Sequence, residues 1–273
     1  MSESRRTLVD LLALERIDRS LYRHHNPEVG ERRLFGGQVA AQALQAAANT
    51  VEADHAVNSL HAYFLRPGRY GVPIVFTVDR IRDGSSFTTR RVVATQDGEA
   101  ILNLDASFHA VEDGGDYEPP SPLGSVPDPD GLGGDKQRWG SHHQLLDARP
   151  VEVPGEDPAV GTRWIRIADT LGDDPVAHAC GIAFFSDTGP LGTSRRAIGG
   201  PEGTASRESM MTASLDHCVW FHRPARADEW LYYRIEPVAC GGARGLARGG
   251  IWSRDGHLVA SVAQEGLLRW RHD

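Results

Sequence analysis

Apolar residues recur at helical spacing in two stretches of the chain. In FGGQVAAQALQAAANTV (35–51), Val39, Ala43, Leu44, Ala46 and Ala47 share one small-residue face. That face predicts a helix packed closely on a sheet, and Ala, Gln and Leu favour the helical state. In DDPVAHACGIAFFSD (173–187), Asp174 reads as the N-cap and Pro175 as the first helical residue. Ile182, Ala183, Phe184 and Phe185 make this second helix apolar almost all round, so it is expected to be buried, with Thr188-Gly189-Pro190 ending it.

Each helix precedes an aromatic strand that ends in Arg-Pro, NSLHAYFLRP (58–67) and ASLDHCVWFHRP (213–224). Strand-like runs follow in both halves, VPIVFTVDRI in the first and WLYYRIEPVA in the second. Asp97-Gly98 and Asp255-Gly256 then sit between β-prone stretches, a strong hairpin signal, at almost the same distance from Arg66-Pro67 and Arg223-Pro224. The order and spacing of turns therefore repeat although residue identity is low. The predicted architecture is α+β, a tandem double hotdog in which a long helix wrapped by a curled antiparallel sheet is built twice. Residues 1–111 form the first unit and 145–273 the second. Between them, 112–144 is crowded with Pro, Gly and Asp and reads as a linker over the surface. The N-terminal LVDLLALERI reads as one or two amphipathic helical turns.

Composition narrows the function classes. Of 273 residues, 40% are hydrophobic and 24% charged, the range of a globular protein. A net charge of -8 argues against a general nucleic-acid binder. No apolar run approaches the roughly 20 residues of a membrane span, and the charged N-terminus lacks a signal-peptide core. Cys180, Cys218 and Cys240 are widely spaced without CxxC, so reduced thiols, no metal site and a cytoplasmic location are expected.

No GxSxG elbow, GxGxxG, GxxxxGK[ST] or HExxH motif occurs. The adjacent pairs His24-His25 and His142-His143 read as solvated loop residues, and His61, His178, His217 and His222 as packing or hydrogen-bonding residues. What remains are polar residues where apolar ones are expected. Asp187 ends the apolar helix, at the wrong end of its macrodipole for a carboxylate. Ser214 stands where the aromatic strand begins, and Gln264 lies in the final strand LVASVAQEGLLRW. Each also has an ordinary reading: a turn residue beside Gly189 for Asp187, and outward-facing strand residues for Ser214 and Gln264. Meeting at the helix end, the three would hold one water, the carboxylate accepting its proton while hydroxyl and amide orient it. That suits attack on a carbonyl with a good leaving group.

The blocks LFGGQVAAQAL, HAYFLRPG, RDGSSFTTRRVVATQDG, SLDHCVWFHRP and DGHLVASVAQEG, in this order, resemble the acyl-CoA thioesterase II (TesB-like) family over nearly the full length. The resemblance implies hydrolysis of acyl-CoA to fatty acid and CoA without metal or other cofactor. It assigns the catalytic water to Asp187, Ser214 and Gln264. Bacterial members often carry Thr where this chain has Ser214; both present a hydroxyl. With no matching acid in the first half, one centre per chain is expected. The expected partner is the acyl-CoA substrate, with no nucleic acid or membrane. Because hotdog sheets pair edge to edge, a homo-oligomer is expected. Two other readings share the fold: a non-catalytic acyl-CoA-binding protein, and an enoyl-CoA hydratase. The hydratase would want His and Asp together, whereas His178 lies nine residues before Asp187.

Overall fold

The structure, a computed structural model, describes residues 6–27, 33–132, 144–199 and 209–271; His142 and His143 lie outside them. The first half runs α1 (Leu8–Leu12), β1 (Glu15–Asp18), β2 (Leu21–His24), α2 (Gly36–Ala48), β3 (His55–Phe64), β4 (Ile74–Asp83), β5 (Phe87–Gln96) and β6 (Glu99–Ala110). The second runs β7 (Leu146–Pro150), β8 (Gly161–Ile167), α3 (Pro175–Ser186), α4 (Pro190–Gly199), β9 (Met210–Ser214), β10 (Asp216–Phe221), β11 (Leu231–Gly241), β12 (Arg244–Trp252) and β13 (Leu258–Trp270). The strands form one sheet in the order β1-β2-β4-β5-β6-β3-β10-β13-β12-β11-β8-β7, with β9 added beside β13.

The two Arg-Pro strands meet at the centre of that sheet. β3 and β10 pair antiparallel from Tyr63↔Asp216 to Ser59↔Trp220, so each half caps the open edge of the other. Under the seam α2 and α3 lie side by side in opposite directions: Phe35 at the start of α2 meets Phe184 near the end of α3 edge-on, ring centroids 5.2 Å apart. Further along α2, Gln45 accepts from Cys180 Sγ at 3.8 Å. Val39, Ala43, Leu44, Ala46 and Ala47 are all buried, as their common face requires. In α3, Asp174 caps Val176 N–H, and every residue from Ala177 to Ser186 is buried.

Several expectations change. The helix stop after Asp187 is also a start, because Gly189, at φ +112, turns the chain directly into α4. Gly192 and Gly199 weaken the helical signal of that segment, and tertiary packing supplies what propensity does not. Of LVDLLALERI only Leu8–Leu12 is helical; Glu15–Asp18 is an edge strand. His24 is buried on β2 rather than solvated, since alternation turns it to the same face as Tyr22. Asp97-Gly98 forms the expected two-residue turn, with φ +49 and +79. Asp255-Gly256 instead sits inside a longer loop closed by Ser253 N–H to His257 O at 2.9 Å. The stretch ahead of β7 is not loose where it is described. Leu123, Val126 and Leu132 cover a cluster of Trp164, Trp230, Tyr232 and Trp252 on the second half.

Candidate active site

Asp187 is the C-cap of α3, Ser214 the last residue of β9 and Gln264 an inward-facing residue of β13. Local pairing sets their approach. Leu215, between β9 and β10, is held from both sides, donating to Glu265 O and accepting from Phe64 N–H, both at 2.9 Å. This fixes Ser214 opposite Gly266, where a Cβ would collide with Leu191 of α4. The backbones of β9, β13 and α4 can therefore converge.

The three side chains form one cluster. Gln264 Nε2 donates to Asp187 Oδ1 at 2.8 Å and to Ser214 Oγ at 2.7 Å, which uses both amide protons. Ser214 Oγ lies 3.3 Å from Asp187 Oδ1. The other carboxylate oxygen, Oδ2, accepts Gly37 N–H of α2 at 2.8 Å. Gln264 is 1% exposed and forms the floor, while Asp187 and Ser214 keep partial exposure, so solvent reaches the cluster from their side.

Gly37 resolves the electrostatic puzzle of the sequence. Asp187 stands at the unfavourable end of its own helix but at the N-terminus of α2 from the other half, where N–H groups and macrodipole favour an anion. The approach needs both glycines. A Cβ on Gly37 would fall well inside contact distance of Phe184 O, and one on Gly36 would lie 2.9 Å from Asp187 Oδ2 and 2.8 Å from the Phe64 ring. Burial raises the Asp187 carboxyl to about 6, and the bonds from Gln264, Gly37 and Ser214 pull it back only in part.

Two contributors escaped the sequence reading. The Gly36-Gly37 pair was legible only as a helix start. His217 was read as a packing or hydrogen-bonding residue. It is fully buried, with Nδ1 3.0 Å from Gln264 Oε1 and Nε2 2.8 Å from Ser186 Oγ. The other three histidines beside these blocks stay outside the cluster. His178 bonds Gly172 O and Ala227 N–H, His222 bonds Ser261, and His61 lies against Cys218 and the Trp220 ring. Arg66 pairs with Glu99 and Arg223 with Asp116, as strand-end supports. Arg90 is buried on Thr50, whereas Arg248, at the corresponding place, is an exposed partner of Glu236.

Among its described residues the first half has no such cluster. Its helix ends at Asn49, which is exposed. The places matching His217 and Gln264, counted from the Arg-Pro and Asp-Gly pairs, hold Leu60 and Ala106, which pair with each other and are fully buried. A doubled hotdog sheet on two antiparallel helices, with one polar centre at the seam, is the class these features define.

Residues 24–109 match the family model described as acyl-CoA thioesterase N-terminal domain, and 119–268 the one described as acyl-CoA thioesterase C-terminal domain. Mouse acyl-coenzyme A thioesterase 8 is 37% identical, over 96% of this chain and 88% of its own. Acyl-CoA thioesterase 2 of Haemophilus influenzae is 34% identical over 99% of both chains. The crystal structure of an acyl-CoA thioesterase II, TesB2, from Mycobacterium marinum superposes with a TM-score of 0.84 at 40% identity, covering 97% of this chain and 98% of that one. The chain belongs to the acyl-CoA thioesterase II family and is a thioester hydrolase. Among its described residues no helix is long and apolar enough to cross a membrane.

Proposed function

We propose that the protein hydrolyses acyl-CoA thioesters to free fatty acid and CoA with a water activated by Asp187 and oriented by Ser214 and Gln264. The observation that carries this reading is the convergence of one carboxylate, one hydroxyl and one amide, from three separate elements, within hydrogen-bond reach. A carboxyl raised to about 6 is ionised at neutral pH yet basic enough to take a proton from water. The water gives one proton to Asp187 as its oxygen bonds the thioester carbon. Collapse of the tetrahedral intermediate breaks the C–S bond, and the proton held by Asp187 goes to the departing sulfur. Ser214 contributes by holding the attacking oxygen in line, and Gln264 by fixing Ser214 and Asp187 toward that oxygen through its two N–H groups. CoA is part of the substrate, and no metal or other cofactor enters the scheme.

The test is thiol release from a panel of acyl-CoAs by wild type, Asp187→Asn and Gln264→Ala. Asp187→Asn should keep substrate binding and lose most turnover, and Gln264→Ala should lower kcat more than it raises KM. Near-wild-type hydrolysis by Asp187→Asn would remove the proposed base.

A further inference from the structure

The amide of Gln264 has an orientation problem. Its oxygen and nitrogen are nearly the same size, so packing alone does not decide which faces Asp187. Only one choice is productive. With Nε2 toward the cluster, both protons are used, on Asp187 Oδ1 and Ser214 Oγ. Rotated by half a turn, the amide oxygen would face the carboxylate, and Ser214 would lose its donor. The ionised Asp187, which only accepts, favours that choice from one side, and a donor behind Oε1 would hold it from the other.

His217 stands there. It lies on β10 one step beyond the Cys218↔Ala263 pair, so its side chain is directly across from Gln264. Burial pushes the imidazole down to about 4, so it is neutral and carries one N–H. Gln264 Oε1, 3.0 Å from Nδ1, can only accept, so with the amide nitrogen turned to the cluster the imidazole N–H belongs on Nδ1. Imidazole Nε2 then accepts from Ser186 Oγ at 2.8 Å, which is nearer than the other acceptor of that hydroxyl, Ala183 O at 3.3 Å. The bonds then run one way, from Ser186 through His217 and Gln264 to Asp187 and Ser214. Ser186 is the residue before Asp187, so the chain closes on the helix end that carries the carboxylate. The duplication supplies an internal control. In the first half the same two places are Leu60 and Ala106, buried and apolar, so the fold does not require a polar pair there.

We propose that His217 is a positioning residue for thioester hydrolysis, its Nδ1–H fixing the amide of Gln264 so that both N–H groups face Asp187 and Ser214. This rests on the water-site reading above. Its consequence is specific. Without His217 the amide is held from the Asp187 side alone, and the fraction that turns its oxygen there neither fixes Ser214 nor stabilises the carboxylate.

The test compares His217→Leu, the residue at the matching place in the first half, with His217→Asn, whose Nδ2 can stand where Nδ1 stood. His217→Leu should lower kcat roughly tenfold, the worth of about one hydrogen bond, with KM little changed. His217→Asn should recover most of that loss. The acid limb of kcat/KM should move to higher pH in His217→Leu, because Asp187 loses a constant donor, and return in His217→Asn. Burial sets this limb first, opposed by Gln264, Gly37 N–H and Ser214 on the carboxylate; the nearby Tyr233 hydroxyl donates to Ser186 O at 2.8 Å and not to Asp187. In a Gln264→Ala background, His217→Leu should change kcat no further. The inference is overturned if Gln264→Ala is impaired while His217→Leu keeps wild-type kcat and an unmoved acid limb. It also fails if leucine and asparagine variants lose kcat equally along with thermal stability, which would mark a packing role. Wild-type turnover by Gln264→Ala alone would sink the water-site reading first, and this inference with it.

Discussion

Asp187 and His217 sit one amide apart with opposite responses to acid. The folded-state value of Asp187, about 6, lies above its ordinary 3.8, so between these values the folded protein binds a proton the unfolded chain does not. Stability from this group is greatest below that window and declines as pH rises through it, by on the order of 2 kcal/mol after discounting for its partial exposure. His217 is depressed from 6.5 to about 4, so its contribution is present above 6.5 and lost as pH falls through the folded value. Over much the same range the two slopes oppose each other. Urea melts of Asp187→Asn and wild type should therefore diverge in favour of the variant as pH rises from about 4 to about 7, and a constant difference would contradict the raised carboxyl. As the proposed base, the same carboxyl should also set the activity profile, wild-type kcat/KM falling on acidification with a limb near 6. At Ser214, alanine removes donor and acceptor together and should cost about 2–4 kcal/mol of barrier, some tens to a thousandfold in rate. Ser214→Thr keeps the hydroxyl in a strand that tolerates β-branching and should stay active, with melts of all three proteins close together.

Among the elements, the meeting of α2 with α3 is the most constrained. Gly37→Ala places a methyl against Phe184 O, and relief requires α2 to move away from the carboxylate its N–H supports. A loss of about 1–3 kcal/mol in thermal or urea melts is expected, as for an overpacked core, together with a fall in kcat. Retention of both would mean that α2 can shift without disturbing Asp187. This contact was legible in part. The glycine pair and the small-residue face of 35–51 announced a helix made for close approach, but not which surface it would approach. That surface belongs to the other half of the chain. The helix α4 was not legible, because its stability comes from lying over β11, β12 and β13 rather than from its own glycine-containing sequence.

For the whole molecule, the sheet separates the candidate site from a supporting face. Tyr232 pairs with Trp164 on one side and Trp252 on the other, and all three side chains turn away from α3, whereas their neighbours Ile165, Tyr233 and Ile251 join the core that contains it. The stretch with Leu123, Val126 and Leu132 covers that far face, and Arg254 ties it down through Asp128 and Asp130. Leu123→Asp with Val126→Asp should therefore lower the melting temperature while kcat stays at the wild-type value. A matching loss of kcat would show that the two faces are coupled. The seam leads to another expectation. A chain begun at residue 145 lacks the Gly37 donor and leaves β10 with an open edge, so alone it should show no turnover and tend to associate.

Local pattern determined the repeated helix, aromatic strand and hairpin, the buried character of α3, and the three polar residues that break apolar runs. These follow from periodicity, capping and turn chemistry, which act between residues close in sequence. Distant meetings were decided by the tertiary structure alone. Asp187 receives its N–H from Gly37, 150 residues away, and Gln264 its donor from His217, 47 residues away. A buried histidine and a histidine that orients an amide read the same in sequence, because what distinguishes them is which side chain the opposite strand presents. Strand register sets that partner, and register here comes from pairing two halves that the chain itself joins only at a distance.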